Sequence, residues 1–152
     1  MRSTVKHIFF DLDHTLWDFE RNSTITLTQL YHSYGLSDHI GTSEDFVKVY
    51  QRINEYYWAL YRENKVTKKQ LRTIRFEKTF AHFGILNWEQ TIEFGEEYIN
   101  TCPRQTNLLP GCIEVLEYLS TRYPLHIITN GFQEIQRTKM EGSGIAKYFT
   151  HV

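Results

Sequence analysis

Two acids one residue apart, Asp11 and Asp13, close the apolar run Ile8-Phe9-Phe10 near the start of this chain. A carboxylate is a competent nucleophile toward a phosphoryl group. A cluster of hard oxygen donors suits Mg²⁺. A second acid beside a metal-bound first one can hold a proton for a leaving group and return it later. The same D-x-D is also an ordinary Asp-rich turn closing a strand, since Asp favours turns. A second constellation, Thr129-Asn130-Gly131, follows the apolar run Leu125–Ile128. A hydroxyl, an amide and the backbone N–H groups of a strand-to-helix turn are donors that suit a phosphate. Read alone, Asn-Gly is a routine turn between a strand and a helix.

These residues need a scaffold. Ile8–Phe10 reads as a buried strand, and the chain turns at Asp11, leaving both carboxyls at the strand's C-terminal end, where open α/β sheets bind ligands. Helical patterning then takes over. Ile25, Leu27, Leu30, Tyr31 and Tyr34 mark a first helix with Gly35 as its stop. A second runs from near Ser43 to about Asn64, with Phe46, Tyr50, Ile53, Tyr57 and Leu60 on one face. Thr67 and Gln70 form a capping box for a third, ending at Gly84, and Asn87 with Gln90 caps a fourth. A βαβ crossover needs about one helix, so the run from roughly Asn22 to Thr101 reads as an inserted helical domain. Pro110-Gly111 opens a further helix carrying Leu116 and Leu119. A second buried strand, Leu125–Ile128, follows, and then a helix with Ile135 and Met140, whose Arg137 and Lys139 are expected to face solvent. A third strand is expected near His151-Val152.

The string F-F-D-L-D-H-T-L, followed in order by L-P-G, a helix and an apolar strand ending in T-N-G, resembles the first two motifs of the haloacid dehalogenase superfamily. The resemblance implies an α/β fold, a Rossmann-like parallel-sheet core (residues 1–17 and 103–152), and an inserted α-helical cap (residues 18–102) that closes over the site. It implies that Asp11 attacks phosphorus and forms an aspartyl-phosphate, and that Asp13 serves as general acid and then base. Mg²⁺ would sit between the Asp11 carboxylate and the Asp13 backbone carbonyl. Thr129 would give its hydroxyl to the phosphate, with Asn130 and Gly131 lining the same pocket. Dehalogenases that displace halide from carbon generally lack the second acid, so Asp13 favours phosphoryl transfer over a 2-haloacid dehalogenase.

The longer string F-D-L-D-H-T-L-W-D-F, with G-F-x-E-x-Q after the Asn, is similar to the branch of YjjG-type pyrimidine 5′-nucleotidases. That implies a small phosphorylated substrate, nucleoside monophosphates first and other small phosphomonoesters next. Trp17 near the hinge could stack on a nucleobase. Within the basic run Lys65–Lys78, Arg72 or Arg75 could steer an anionic substrate, although such a run is more often a solvated face. Before Val152 the family's third motif, a charge-neutralising Lys or Arg, has only Lys139, in the helix directly after the second motif and too early for a clean match, and the fourth, an acidic pair completing the metal site, has none. The sequence is therefore expected to be the N-terminal part of a longer protein. A non-catalytic binding module of the same fold is the alternative.

Bulk properties narrow the class. Seventeen Lys and Arg against 18 Asp and Glu give a formal charge of −1, which offers no footprint for nucleic acid or an anionic membrane. Aromatic content of 15% points to tightly packed helices. Cys102 and Cys112 form no C-x-x-C or Cys/His cluster, and reduced thiols in the cytoplasm are expected. Asp11 and Asp13 interrupt the only apolar run near the N-terminus, so no secretory signal is read there.

Overall fold

The computed structural model describes residues 5–150; the strand expected near His151-Val152 lies outside them. Strands β1 (Ile8–Phe10) and β2 (Leu125–Ile127) pair in parallel, Ile8 opposite Leu125, Phe9 opposite His126 and Phe10 opposite Ile127. Parallel neighbours need a crossover, since a hairpin would reverse the second strand. Here the crossover contains α1 (Phe19–Ser33), α2 (Ser43–Arg62), α3 (Lys68–His82), α4 (Trp88–Thr101) and α5 (Cys112–Ser120). Helix α6 (Gln133–Gly142) follows β2. By contacts the chain divides into two compact units, one drawn from the residues up to Ser23 and from Cys102 onward, the other Thr24–Thr101. The architecture is α/β, a short parallel sheet with a helical insertion.

In the first unit, Leu12, Trp17, Leu116, Leu125 and Ile145 are almost fully buried. Each such side chain stabilises the fold by roughly 2 kcal/mol. The two passages of chain into and out of the helices run antiparallel through a Trp17–Leu108 bridge. The Leu109 N–H donates to the Leu16 carbonyl at 2.9 Å, and the Asp18 N–H to the Asn107 carbonyl at 3.0 Å. Asn22, fully buried, completes this base: its Nδ2 donates to the Asn107 carbonyl, and its Oδ1 accepts from the Asn107 side-chain amide at 2.7 Å. Two expectations for the strands need correction. In β1, expected to be buried, Ile8 and Phe10 are half-buried and Phe9 is 62% exposed, and Ile128, closing the second apolar run, is 66% exposed. Successive strand residues point to opposite faces. Phe9 lies on the more open one, stacked on His126 with ring centroids 4.8 Å apart.

The helical unit is built on its aromatics. Phe46, Tyr50, Phe76, Phe80 and Phe94 are fully buried, and their rings meet at 5.1–5.9 Å in edge-to-face, tilted and stacked pairs. Such contacts add about 0.5–1.5 kcal/mol each beyond the area buried. Gly95 makes the closest approach possible, because a Cβ there would lie 2.8 Å from the Phe76 ring. The local signals work as the sequence predicts. Thr67 and Gln70 exchange both hydrogen bonds of a capping box at the start of α3, and the Gln90 N–H donates to Asn87 Oδ1 at 3.1 Å. Gly35 and Gly84 take the left-handed conformation after α1 and α3.

Candidate active site

Because β1 and β2 are parallel and in register, the turns that follow them leave the sheet at the same end. Asp11 comes directly after Phe10, and the Ile128 N–H still donates to the Phe10 carbonyl at 2.9 Å, so Thr129 follows one residue beyond the last ladder bond. The chain then turns sharply after Asp11. The Asp11 Oδ1 accepts from the Leu12 N–H at 2.8 Å, and the Leu12 carbonyl accepts from the N–H groups of Leu16 and Trp17 at 2.9 and 3.0 Å. His14 takes φ 62°, a left-handed conformation uncommon for a residue with a side chain. The His14 N–H closes the loop onto the Trp17 carbonyl at 3.1 Å. Leu12, fully buried, anchors the turn from below, while Asp11 stays exposed.

Both oxygens of the Asp13 carboxylate are engaged. Its Oδ1 accepts from Lys139 Nζ at 2.7 Å and its Oδ2 from Gln136 Nε2 at 2.9 Å. The Gln136 amide also donates to Thr129 Oγ1 at 2.8 Å, and that oxygen accepts from the Gly131 N–H at 3.2 Å. The D-x-D turn and the T-N-G turn are thus joined through one amide. Asn130 lies exposed on the same turn. Gly131 has a specific reason to lack a side chain: a Cβ there would lie 2.4 Å from the Gln136 amide group.

Lys139 overturns an expectation. Instead of facing solvent, its side chain is only 6% exposed, and its ammonium sits 4.5 Å from the centroid of the Trp17 ring as well as on Asp13. The aliphatic stem has apolar surface to pack on, and the charge has an anion and an aromatic face to replace water. Arg137, by contrast, is exposed and pairs with Glu141 one helical turn on. Gln136 stands in the string G-F-x-E-x-Q and Lys139 in the helix after it, but the contacts of the two with Asp13 escaped the reading of the sequence. Their spacing from Met140, which is buried, held the signal: residues 136, 139 and 140 share the inner face of α6.

The three candidate substrate contacts fare differently. Trp17 is 0% exposed, and its Nε1 donates to the Gln105 carbonyl at 3.2 Å, so the ring is part of the core and not placed to stack on a base. Arg75 is 6% exposed inside the helical unit. Its guanidinium donates to the Leu71 carbonyl, Tyr50 Oη and Asn54 Oδ1, so it steers nothing in solution. Arg72 is half-buried along a groove of about 370 Å³ between α3 and α4, in the company of Lys69, Glu77 and Glu96, a mixture of both charges.

No three His, Cys, Asp or Glu side chains gather to hold a metal among the described residues. Of the donors that the resemblance assigns to Mg²⁺, the Asp11 carboxylate is exposed, and the Asp13 side chain beside the assigned main-chain carbonyl is held by Lys139 and Gln136. An all-oxygen set with one available carboxylate fits Mg²⁺, which commonly takes its remaining positions from water and a substrate phosphate.

A sequence profile of haloacid dehalogenase-like hydrolases matches residues 5–152. The pyrimidine 5′-nucleotidase PynA of Streptococcus pneumoniae is 34% identical over 149 residues, 97% of this chain and 60% of that protein. The pyrimidine 5′-nucleotidase YjjG of Escherichia coli is 31% identical over 142 residues, 93% of this chain and 59% of that protein. The chain thus spans about 60% of the length of these curated relatives. Among solved structures, the HAD-hydrolase YfnB of Bacillus subtilis, bound to magnesium, superposes with a TM-score of 0.85 at 23% identity, over 96% of this chain and 63% of that one. The L-2-haloacid dehalogenase of Xanthobacter autotrophicus gives 0.69 at 16% identity, over 98% of this chain and 56% of that one. Both structural likenesses are of fold.

Proposed function

The chain belongs to the haloacid dehalogenase-like hydrolases, and from that premise we propose that it serves a Mg²⁺-dependent phosphomonoester hydrolase working through an aspartyl-phosphate. The observation that carries this reading is the meeting of two turns, D-x-D after β1 and T-N-G after β2, through the Gln136 amide. Asp11, exposed at the sheet's C-terminal end, attacks phosphorus. The P–O bond to the leaving alcohol breaks, and Asp13 supplies that oxygen with a proton. Asp13 then takes a proton from water as the water attacks the aspartyl-phosphate, releasing inorganic phosphate and restoring Asp11. Thr129 and the backbone of the following turn hold the phosphoryl oxygens. Mg²⁺ held by Asp11 and the Asp13 carbonyl would neutralise charge on those oxygens, where most of the catalysis of phosphoryl transfer arises. The inserted helices take the role of cap that the family resemblance implies.

Nucleoside monophosphates are the proposed substrates, on the similarity to two proteins named as pyrimidine 5′-nucleotidases. The test is phosphate release from a panel of nucleoside monophosphates and small phosphomonoesters, with and without chelator, beside Asp11→Asn. Release that requires both Mg²⁺ and Asp11, and is fastest with pyrimidine nucleotides, is the expected result. Release that survives Asp11→Asn contradicts the mechanism. A preference for another phosphomonoester contradicts the substrate assignment alone.

A further inference from the structure

Helix α6 places two donors on one carboxylate. Gln136 and Lys139, one helical turn apart, each occupy a different oxygen of Asp13, at 2.9 and 2.7 Å. Both are almost completely buried, Gln136 at 0% and Lys139 at 5% exposure. Lys and Gln are seldom buried so deeply, and ordering either side chain costs about 1.5–2 kcal/mol of rotamer freedom. Gln136 carries a further cost, because its Oε1 is buried with no hydrogen-bond partner among the described residues. Leaving such an acceptor unpaired costs about 1–3 kcal/mol. The orientation is nevertheless the sensible one: a flipped amide would set its carbonyl oxygen against the Asp13 carboxylate and orphan both Nε2 protons. An interior selected for stability alone would hold an apolar residue here. Gly131 adds an independent sign, since the backbone gives up a side chain so that this amide can approach within 2.4 Å of where a Cβ would be.

We propose that Gln136, with Lys139 beside it, is a positioning residue that holds the Asp13 carboxylate toward the leaving-group oxygen and couples it to the phosphate-binding Thr129. It rests on the phosphatase reading for what Asp13 does, and on the hydrogen bonds alone for how Asp13 is held. Lys139 fixes one oxygen electrostatically. Gln136 fixes the other and ties it to Thr129 Oγ1, so the acid and the phosphoryl site keep one spacing. Both residues act through Asp13, and Gln136 also through Thr129, the side chains to which their hydrogen bonds run.

A holder of the general acid has a kinetic signature that a merely structural residue lacks. A nucleoside leaving group needs a proton, whereas p-nitrophenolate leaves without one. In single-turnover release of the alcohol, Gln136→Leu is expected to slow a nucleoside monophosphate by about 10–100-fold, the usual cost of removing an orienting partner, and p-nitrophenyl phosphate far less. Lys139→Met is expected to show the same asymmetry. Equal slowing of both substrates, or none, overturns the proposal. A second readout needs no turnover: in the ¹⁵N-labelled chain, the Gln136 side-chain amide protons are expected to be protected from solvent exchange and to lose that protection in both Asp13→Ala and Thr129→Val. Amide signals indifferent to both substitutions overturn the clamp even if the enzyme is active. A chain that releases neither alcohol shows that these residues, about 60% of their relatives' length, are not active alone, and the amide signals then decide whether the clamp exists.

Discussion

Two buried cations, Lys139 in the α/β unit and Arg75 in the helical unit, are equally hidden from water and spend their charge in opposite ways. Lys139 meets a carboxylate that is itself 24% exposed at the end of the sheet. Among the described residues Arg75 meets neutral partners, a helical carbonyl, a phenol, an amide and the Phe76 ring, all within its own unit. Burial by itself therefore does not mark function. What distinguishes the two is whether the network ends on a group that solvent and substrate can reach. In the helical unit the Arg75 network closes on itself among aromatic and aliphatic side chains. In the α/β unit the network of Lys139 and Gln136 ends on Asp13.

The largest effect expected from that contrast is in the aromatic core. Phe94→Ala removes a ring in contact with Phe46, Phe76 and Phe80 and is expected to destabilise the helical unit by about 3–5 kcal/mol in denaturant unfolding. Next comes Arg75→Met, which strands the Tyr50–Asn54 pair and is expected to cost about 1–3 kcal/mol. Turnover per folded molecule should be unchanged by it; a change would erase the distinction between the two cations. Lys139→Met is the mirror image: a shift in melting temperature smaller than that of Arg75→Met, but slower release of a nucleoside leaving group.

The site's outline was legible in the sequence, and the reason is local. A strand ending in D-x-D, a strand ending in T-N-G and caps such as Thr67/Gln70 are decided within a few residues. The contacts of Lys139, Gln136, Arg75 and Trp17 were not legible, because each depends on what another segment brings to it. Gln136 and Lys139 lie more than 120 positions from Asp13 in the chain. A lysine in a helix reads as a solvent residue until an acid and an aromatic ring are placed against it. The same limit applies to Gly131, which reads as a turn glycine but is required by the Gln136 amide.

The smallest expected effect is a pH dependence confined to the helical unit. Burial first, and then the hydrogen bond its hydroxyl donates to Glu97, push the Tyr34 phenol from its ordinary 10.0 up to about 12. The folded state therefore holds this proton more tightly than the unfolded chain. The stability it contributes is fully present below pH 10.0 and is lost as the pH rises toward about 12. Alkaline melting curves of the chain should fall more steeply across that window than those of Tyr34→Phe; identical slopes would remove Tyr34 from the account.

The most direct test of the central claim is to find the phosphoryl group itself. Acid-quenching the chain during incubation with Mg²⁺ and a nucleoside monophosphate, reducing with borohydride and mapping by mass spectrometry should convert Asp11 to homoserine and leave Asp13 intact. Phosphate release with no modification of Asp11, or with the mark on another carboxylate, would contradict the assignment of Asp11 as nucleophile.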